Sequence, residues 1–242
     1  MSIEQEKTHL LEEINAFDFD YNCYKLALEG HPDRFIFGVH STEDDIVSKI
    51  VKCRNIFLSI KSSQLAIRHS LIQAMSYAYH EKVNSSEHFH FMTEWYSSDE
   101  EFLAYYYLDN AIFRVSSLWD MLAQLYNIIF DLGLDIHKIN YGKFFKSKKD
   151  AFKEFKDISD YLDEPIPENM DYESKEIWKG NHKYLHEYRN MQTHIKTKSL
   201  TGLSNLDINI KDHPIVILKR VTDEYYTICG FIQEALQKEI KD

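Results

Sequence analysis

The chain has 242 residues, of which 44% are apolar and 28% charged, a composition typical of folded globular proteins and too apolar for disorder. Seven glycines and four prolines are few for this length, which disfavours many-turned β-sandwiches and glycine-rich phosphate-binding loops. The net charge of −11 disfavours a protein that wraps nucleic acid, because such binding depends on neutralising phosphates, although a local basic site stays compatible with it.

Cysteine usage and the N-terminal residues indicate the compartment. Cys23, Cys53 and Cys229 lie far apart and form no CxxC pair, which disfavours a disulfide framework or a thiolate zinc site and suits reducing conditions. The first residues are charged and lack the apolar stretch of a signal peptide, and no run reaches the roughly 18 apolar residues of a membrane span. We therefore expect a cytoplasmic protein without a membrane association.

Start and stop signals predict long helices separated by short connections. In chain order the predicted helices cover about residues 3–28, 46–79, 102–130, 147–162, 172–195 and 218–240. Ser98 with Glu101 opens the third as a capping box, Ser147 opens the fourth, and the adjacent Ser62 and Ser63 are candidate positions for a bend in the second. Residues 203–217 alternate weakly and are compatible with a short strand or hairpin, in which Pro214 disfavours a central strand.

These elements predict an all-α fold, a compact up-and-down bundle of five to seven helices. Because no linker-like segment interrupts the helices, we expect one domain over residues 1–242, with an N-terminal helical extension over about 1–97 and a core over about 98–240.

The predicted helix over 172–195 carries an unusual set of polar side chains. Its apolar stripe consists of Ile177, Tyr184, Tyr188, Met191 and Ile195. At about 100° per residue, Arg189 and His194 lie on opposite flanks of this stripe, roughly 140° apart. Asn190 lies between them on the polar side, with His186 nearby. One helix face therefore displays a guanidinium, an amide and two imidazoles.

This arrangement resembles the signature of the HEPN superfamily (higher eukaryotes and prokaryotes nucleotide-binding domains). In that signature an Arg followed by a polar residue precedes a His by four to six intervening residues, as Arg189, Asn190 and His194 do here. The aromatic helix that begins near Tyr105 also resembles the helix that packs beside the motif in many members. The resemblance covers about residues 98–240 and agrees with the predicted all-α bundle.

The resemblance implies a metal-independent endoribonuclease without a cofactor, in which the ribose 2′-hydroxyl attacks the adjacent phosphorus to give a 2′,3′-cyclic phosphate. His194 would be the acid/base, Arg189 the charge stabiliser and Asn190 an orienting amide, and these residue types suit those roles. The motifs of two protomers would meet in a homodimer. RNA contacts are expected from Lys196, Lys198, His186 and Asn110, and no metal ligands are assigned.

The resemblance also suggests a biological setting, namely stress or phage defence with an inhibitory protein partner. In a toxin branch of the family, a Tyr three residues after the His is modified by an antitoxin. Thr197 occupies that position here, which makes this regulation doubtful.

Several alternatives stay open. The chain can be a non-catalytic HEPN-like module that binds RNA, a nucleotide or a protein, or an unrelated helical interaction protein. Arg189 can pair with Glu187 on the helix surface, and His182 with His186 has the spacing of a metal-ligand pair. Two further groups have both a structural and an RNA-binding interpretation: the lysines Lys143, Lys146, Lys148, Lys149, Lys153 and Lys156, and the aromatic residues Tyr105, Tyr106, Tyr107, Phe113 and Trp119.

Overall fold

The computed structural model describes residues 2–19, 46–84, 96–167, 178–192, 202–204, 207–209 and 211–238. The helices are α1 (Ile3–Asn15), α2 (Ile46–Ala78), α3 (Glu81–Asn84), α4 (Asp99–Ile129), α5 (Tyr141–Lys148), α6 (Lys153–Asp163), α7 (Asn181–Gln192) and α8 (Pro214–Leu236). The remaining regular elements of the described segments are a 3-10 turn at Ile136–Lys138 and two three-residue strands.

The predicted all-α class is confirmed, and so is the prediction of a short hairpin near residue 203. Strand β1 (Gly202–Ser204) pairs antiparallel with β2 (Asp207–Asn209), with Leu203 opposite Ile208. Pro214 lies outside the hairpin and occupies the first position of α8, where a missing N–H is tolerated. The last helix therefore begins four residues before its predicted start at Leu218.

The first helix is shorter than predicted. Ser2 and Gln5 form a capping box at its start, but α1 ends at Asn15, and residues 16–19 are not helical. The amide of Ala16 bonds to the Glu13 carbonyl in a tightened final turn, and the chain then buries Phe19 completely. The predicted residues 20–28 of this helix lie outside the described segments.

Helix α2 runs without a break through Ser62 and Ser63. The predicted opening of α4 is confirmed, since the Ser98 hydroxyl accepts a hydrogen bond from the Glu101 amide at 3.1 Å. In a complete capping box the Glu101 carboxylate would accept a hydrogen bond from the Ser98 amide. It accepts from the amide and the hydroxyl of Ser97 instead.

The prediction for the fourth helix was wrong in its start. Ser147 lies inside α5, a helix that the sequence signals did not predict and whose start Asn140 caps by accepting a hydrogen bond from the Lys143 amide at 3.1 Å. A second helix, α6, then begins at Lys153. The Ser147 hydroxyl donates to the Phe144 carbonyl within the same helix, so it does not cap the start of α6.

The predicted helix over 172–195 is described in part as α7; residues 178–180 before it are not α-helical, and residues 172–177 and 193–195 lie outside the described segments. Gly180 has φ +67° and directly precedes the helix, so the helix begins at Asn181. A Cβ at Gly180 would lie 2.5 Å from the Ile166 amide nitrogen, and only glycine fits this approach.

The described chain divides into two compact units. Unit 1 comprises Met1–Ala16, Leu65–Ser116 and Asp160–Tyr226, and unit 2 comprises Phe17–Gln64, Ser117–Ser159 and Thr227–Asp242. The prediction of one domain, with an extension over about 1–97 and a core over about 98–240, stays a prediction. Within the described residues, no helix combines the length and the apolarity that crossing a bilayer requires.

The core of unit 2 is aromatic. Tyr126 and Phe155 lie at its centre, with ring centroids 5.3 Å apart in an edge-to-face arrangement. Their neighbours in the same cluster are Phe130, Phe144, Phe145 and Phe152. In unit 1 buried residues come from α1, α2, α3, α4, α6, α7 and α8, and those on α7 and α8 include several polar side chains that surround the candidate site.

Candidate functional site

Helix α7 in unit 1 carries the residues that the sequence singled out. Tyr184, Leu185 and Tyr188 form its buried face, while His186 and Asn190 are exposed and Arg189 is half-buried. The helix therefore presents an amide, an imidazole and a guanidinium within two turns of its outer surface.

His186 and Asn190 form a pair on this surface. The Asn190 side-chain nitrogen lies 3.2 Å from Nδ1 of His186. Since an amide nitrogen only donates, Nδ1 accepts, and the proton of the neutral ring lies on Nε2. Partial burial lowers the pKa of His186, and the neighbouring His182 and Arg189 lower it further. His186 is therefore a neutral imidazole at physiological pH.

Arg189 contacts an aromatic ring instead of a carboxylate. Its guanidinium carbon lies 5.7 Å from the ring centroid of Phe113 on α4, in a cation–π arrangement. Within the described residues it forms no ion pair with Glu187, which argues against the surface-pair alternative.

Asn110 lies on α4 one turn before Phe113. Its Oδ1 accepts a hydrogen bond from Nε of Arg114 at 2.8 Å. The structure therefore brings Arg189, Asn190 and His186 together on α7, and it places Asn110 on the helix that contacts Arg189. The other predicted site residues, His194, Lys196 and Lys198, and also Thr197, lie outside the described segments.

A buried polar network underlies the outer face of α7. Nδ1 of His182 donates to Oε1 of Glu224 on α8 at 2.8 Å, and the Tyr161 hydroxyl donates to Oε2 of the same carboxylate at 2.5 Å. The ring centroids of His182 and His186 are 6.2 Å apart. This network holds the first turn of α7 against α8 directly below the exposed imidazole.

Asn181 anchors the start of the helix. Its Nδ2 donates to the Arg220 carbonyl at 2.8 Å and to Oδ2 of Asp223 at 3.0 Å, and its Oδ1 accepts from the Arg220 guanidinium at 3.1 Å. The same guanidinium carbon lies 4.1 Å from the centroid of the Tyr184 ring. Burial raises the pKa of Asp223 to about 6, and the charges of Glu224 and Glu13 add to this increase.

Three tyrosine hydroxyls connect α7 and α4 to their surroundings. Tyr188 donates to Oδ1 of Asp109 on α4 at 3.4 Å. Tyr184 donates to the Asp212 carboxylate at 2.5 Å, and Tyr105 donates to the Asp212 carbonyl at 2.6 Å. The rigid connection of α4, α7 and the segment before α8 positions Arg189 and His186.

Arg220 and Glu224, the members of this network on α8, were not singled out from the sequence. A usable signal was present, since Arg220 and Glu224 lie four residues apart on α8 among apolar residues such as Val221 and Ile228. Charged residues on an otherwise apolar helix stripe indicate buried polar partners.

The alternative of a metal site at His182 and His186 gains no support. Nδ1 of His182 is engaged by Glu224, and no group of three or more His, Cys, Asp and Glu side chains in the described segments has the proximity that a metal ion needs.

Most of the lysines of the predicted basic run are exposed and belong to unit 2. Lys143 and Lys146 lie on α5, Lys149 follows it, and Lys153 and Lys156 lie on α6, while Lys148 is half-buried. This exposure is compatible with either a solvated face or contact with RNA.

Comparison with family models identifies a family that matches most of the chain. The model of the Cthe2314-like HEPN family matches residues 58–241, which is most of the chain and includes α4, α7 and α8. Comparisons with curated proteins and with solved structures returned no match.

Proposed function

The chain belongs to the HEPN superfamily, and from this membership and the outer face of α7 we propose that it is a metal-independent endoribonuclease. The observation that carries the proposal is the grouping of Arg189, Asn190 and His186 on the outer surface of α7, with Arg189 beside an aromatic ring and, among the residues that the structure describes, not paired with a carboxylate.

The proposed reaction needs a base, an acid and a stabiliser of negative charge. The ribose 2′-oxygen loses its proton to a base and bonds to the adjacent phosphorus, while the bond from phosphorus to the 5′-oxygen breaks and that oxygen gains a proton from an acid. We assign proton transfer to His194, which follows α7 by two residues. Arg189 stabilises the phosphoryl oxygens through its paired N–H groups, and Asn190 orients the neighbouring imidazole.

One protomer supplies one copy of this motif, and we propose that two copies meet in a homodimer. A composite cleft then contains two guanidiniums and two pairs of imidazoles, and the two guanidiniums concentrate positive charge on a chain whose formal charge is −11. Lys196, Lys198, His186 and Asn110 are proposed RNA contacts around this cleft.

The proposal extends to the setting of the activity. We place the protein in the cytoplasm, where it cleaves RNA in stress or phage defence and an inhibitory protein partner restrains the cleavage. Thr197, in the position of the Tyr that antitoxins modify in the toxin branch, favours restraint by binding over restraint by modification.

A cleavage assay in EDTA tests the proposal. End-labelled RNA incubated with the purified protein should give fragments with 2′,3′-cyclic phosphate and 5′-hydroxyl ends. Removing an acid/base residue costs about 10²–10⁴-fold in rate, so we expect His194→Ala to lower cleavage at least a hundredfold. His137→Ala, at an exposed histidine of the 3-10 turn, is the matched control and should cleave normally.

The same assay separates the second candidate function, a non-catalytic module that binds RNA. Family membership is equally compatible with that function. Binding that depends on Arg189 without any cleavage would favour the module, and cleavage that survives His194→Ala unchanged would contradict the proposed mechanism.

A further inference from the structure

Helix α4 exposes three aromatic rings along one line. Phe102 is 45% exposed, Tyr106 is 52% exposed and Phe113 is 37% exposed. At 100° per residue these positions fall within about 40° of one another on the helix surface. We call them the α4 aromatic stripe. Exposed aromatic rings that share a face mark a binding surface more often than isolated exposed rings do.

Packing separates this stripe from the aromatic residues of the core. Tyr105 and Trp119, from the same aromatic run of sequence, are fully buried, so their function is structural. Tyr106 and Phe102 are instead exposed, and their described contacts with rings outside the stripe are edge-to-face, with Tyr106 5.3 Å from Tyr107 and Phe102 5.3 Å from Tyr96 between ring centroids.

The neighbouring rings hold the stripe in place. Tyr107 stacks on Tyr77 of α2 with ring planes 5° apart and centroids 5.9 Å apart. The Tyr106 ring then meets Tyr107 at 77°. A ring that is already oriented loses little conformational entropy when a ligand stacks on it.

Cationic groups lie at the Phe113 end of the stripe. The guanidinium of Arg189 lies over the Phe113 ring, and the exposed Arg114 follows it in sequence with its Nε on the Asn110 amide. At the other end, Lys82 neutralises Glu100 through an ion pair of 2.6 Å. Aromatic faces followed by guanidiniums match a ligand that combines flat bases with phosphates.

We propose that the α4 aromatic stripe binds unpaired bases of single-stranded RNA by stacking and directs the strand towards Arg189. The rise of an α-helix places Tyr106 about 6 Å beyond Phe102 and Phe113 about 10 Å further, enough for one base on each ring. A duplex hides its base faces, so the stripe selects single strands. This inference rests on the proposed ribonuclease function and names the form of its substrate.

Binding of a non-cleavable RNA tests the inference independently of catalysis. The probe is a fluorescein-labelled single-stranded oligonucleotide with 2′-O-methyl sugars, followed by anisotropy, with its duplex as the competing ligand. Stacking on one aromatic residue contributes about 1–3 kcal/mol per base, so Tyr106→Ala should weaken binding of the single strand about fivefold to 150-fold. Tyr106→Trp should retain binding.

A matched control is Tyr226→Ala, which removes an exposed tyrosine of α8 outside the stripe and should bind as the wild type does. Equal binding of the duplex and the single strand, or unchanged affinity in both Tyr106→Ala and Phe102→Ala, would overturn the inference. A change in sedimentation of Tyr106→Ala with unchanged RNA affinity would also overturn it, because the stripe would then bind a second copy of the chain.

The two proposals fail in different ways. If the wild type cleaves RNA and the stripe variants bind and cleave it equally well, the nuclease proposal is supported and the stripe proposal is contradicted. If binding of single strands depends on the stripe but no RNA is cleaved, the stripe proposal is supported and the nuclease proposal is contradicted.

Discussion

Arg189 is held by the ring of Phe113, and this choice of partner matters for its proposed role. An exposed cation–π contact is worth about 0.5–1 kcal/mol, which orients the guanidinium without neutralising its charge. A two-pronged pair with a phosphate is stronger, so the arginine can turn towards RNA at little cost.

At the same scale, the imidazole of His186 provides a prediction that needs no substrate. Partial burial and the charge of Arg189 both lower its pKa, so an NMR titration should show His186 titrating below the ordinary value of about 6.5. Arg189→Gln removes one of these causes and should move the midpoint upward, though not fully, because the burial remains.

A His186 midpoint that does not respond to Arg189→Gln would show that the two side chains are too far apart in solution to act on one phosphate.

At the scale of elements, a buried ion pair fixes the start of α4 to the segment before α8. Nζ of Lys211 lies 2.6 Å from Oε1 of Glu101, and both side chains are almost inaccessible. Burial raises the pKa of Glu101, but hydrogen bonds from Lys211 and Ser97 outweigh it, so the net pKa is lowered and the carboxylate is charged.

We predict that Lys211→Met destabilises the protein strongly, because it leaves the charge of Glu101 buried without its cation. Breaking such a pair costs about 3–5 kcal/mol, measured as the change in free energy of unfolding in urea. The double variant Lys211→Met/Glu101→Leu removes both charges and should recover most of the loss. Equal stability of the single variant and the wild type would show that the pair is solvated.

The contact between α7 and α8 makes stability depend on pH through Asp223. Its pKa is about 6 in the folded protein, above the ordinary value of about 4, so the folded state binds this proton more tightly than the unfolded state does. The stabilisation is complete below about pH 4 and is lost as the pH rises through 6, a change of about 2–3 kcal/mol.

Asp223→Asn removes this titration and keeps a hydrogen-bonding side chain opposite Asn181. Relative to the wild type, the variant should therefore gain stability steadily between pH 4 and 7, as followed by urea unfolding at each pH. Parallel stability profiles of the two proteins would contradict the raised pKa.

At the scale of the whole molecule, a complementation experiment tests whether two protomers of this acidic chain form the proposed composite cleft. If Arg189 of one protomer acts together with His194 of its partner in the composite cleft, mixing the inactive variants Arg189→Gln and His194→Ala should restore a measurable part of the cleavage. The cleft of the mixed heterodimer contains one such pair with both groups intact. Each variant alone, unfolded and refolded identically, is the control.

No recovery in verified heterodimers would mean that both groups act within one protomer. Sedimentation of the wild type establishes beforehand whether a dimer forms, and a monomer that cleaves RNA would contradict the composite site.

The all-α class, the extent of α2 and the opening of α4 at Ser98 followed from the sequence alone. Amphipathic periodicity, scarce glycine and proline, and capping residues act between neighbours within a turn or two, so they are visible without the fold. The same holds for the motif of Arg189 and Asn190, whose shared helix face depends only on the helical pitch.

Only the tertiary structure decided where α1 ends, what Arg189 contacts and why α7 is held so firmly. The burial of Phe19, the ring of Phe113 beneath the guanidinium and the carboxylate of Glu224 on His182 each join segments distant along the chain. Buried polar and aromatic groups need partners, and these partners come from whichever segments the packed helices bring together. Local sequence preferences therefore do not predict which residues make these contacts.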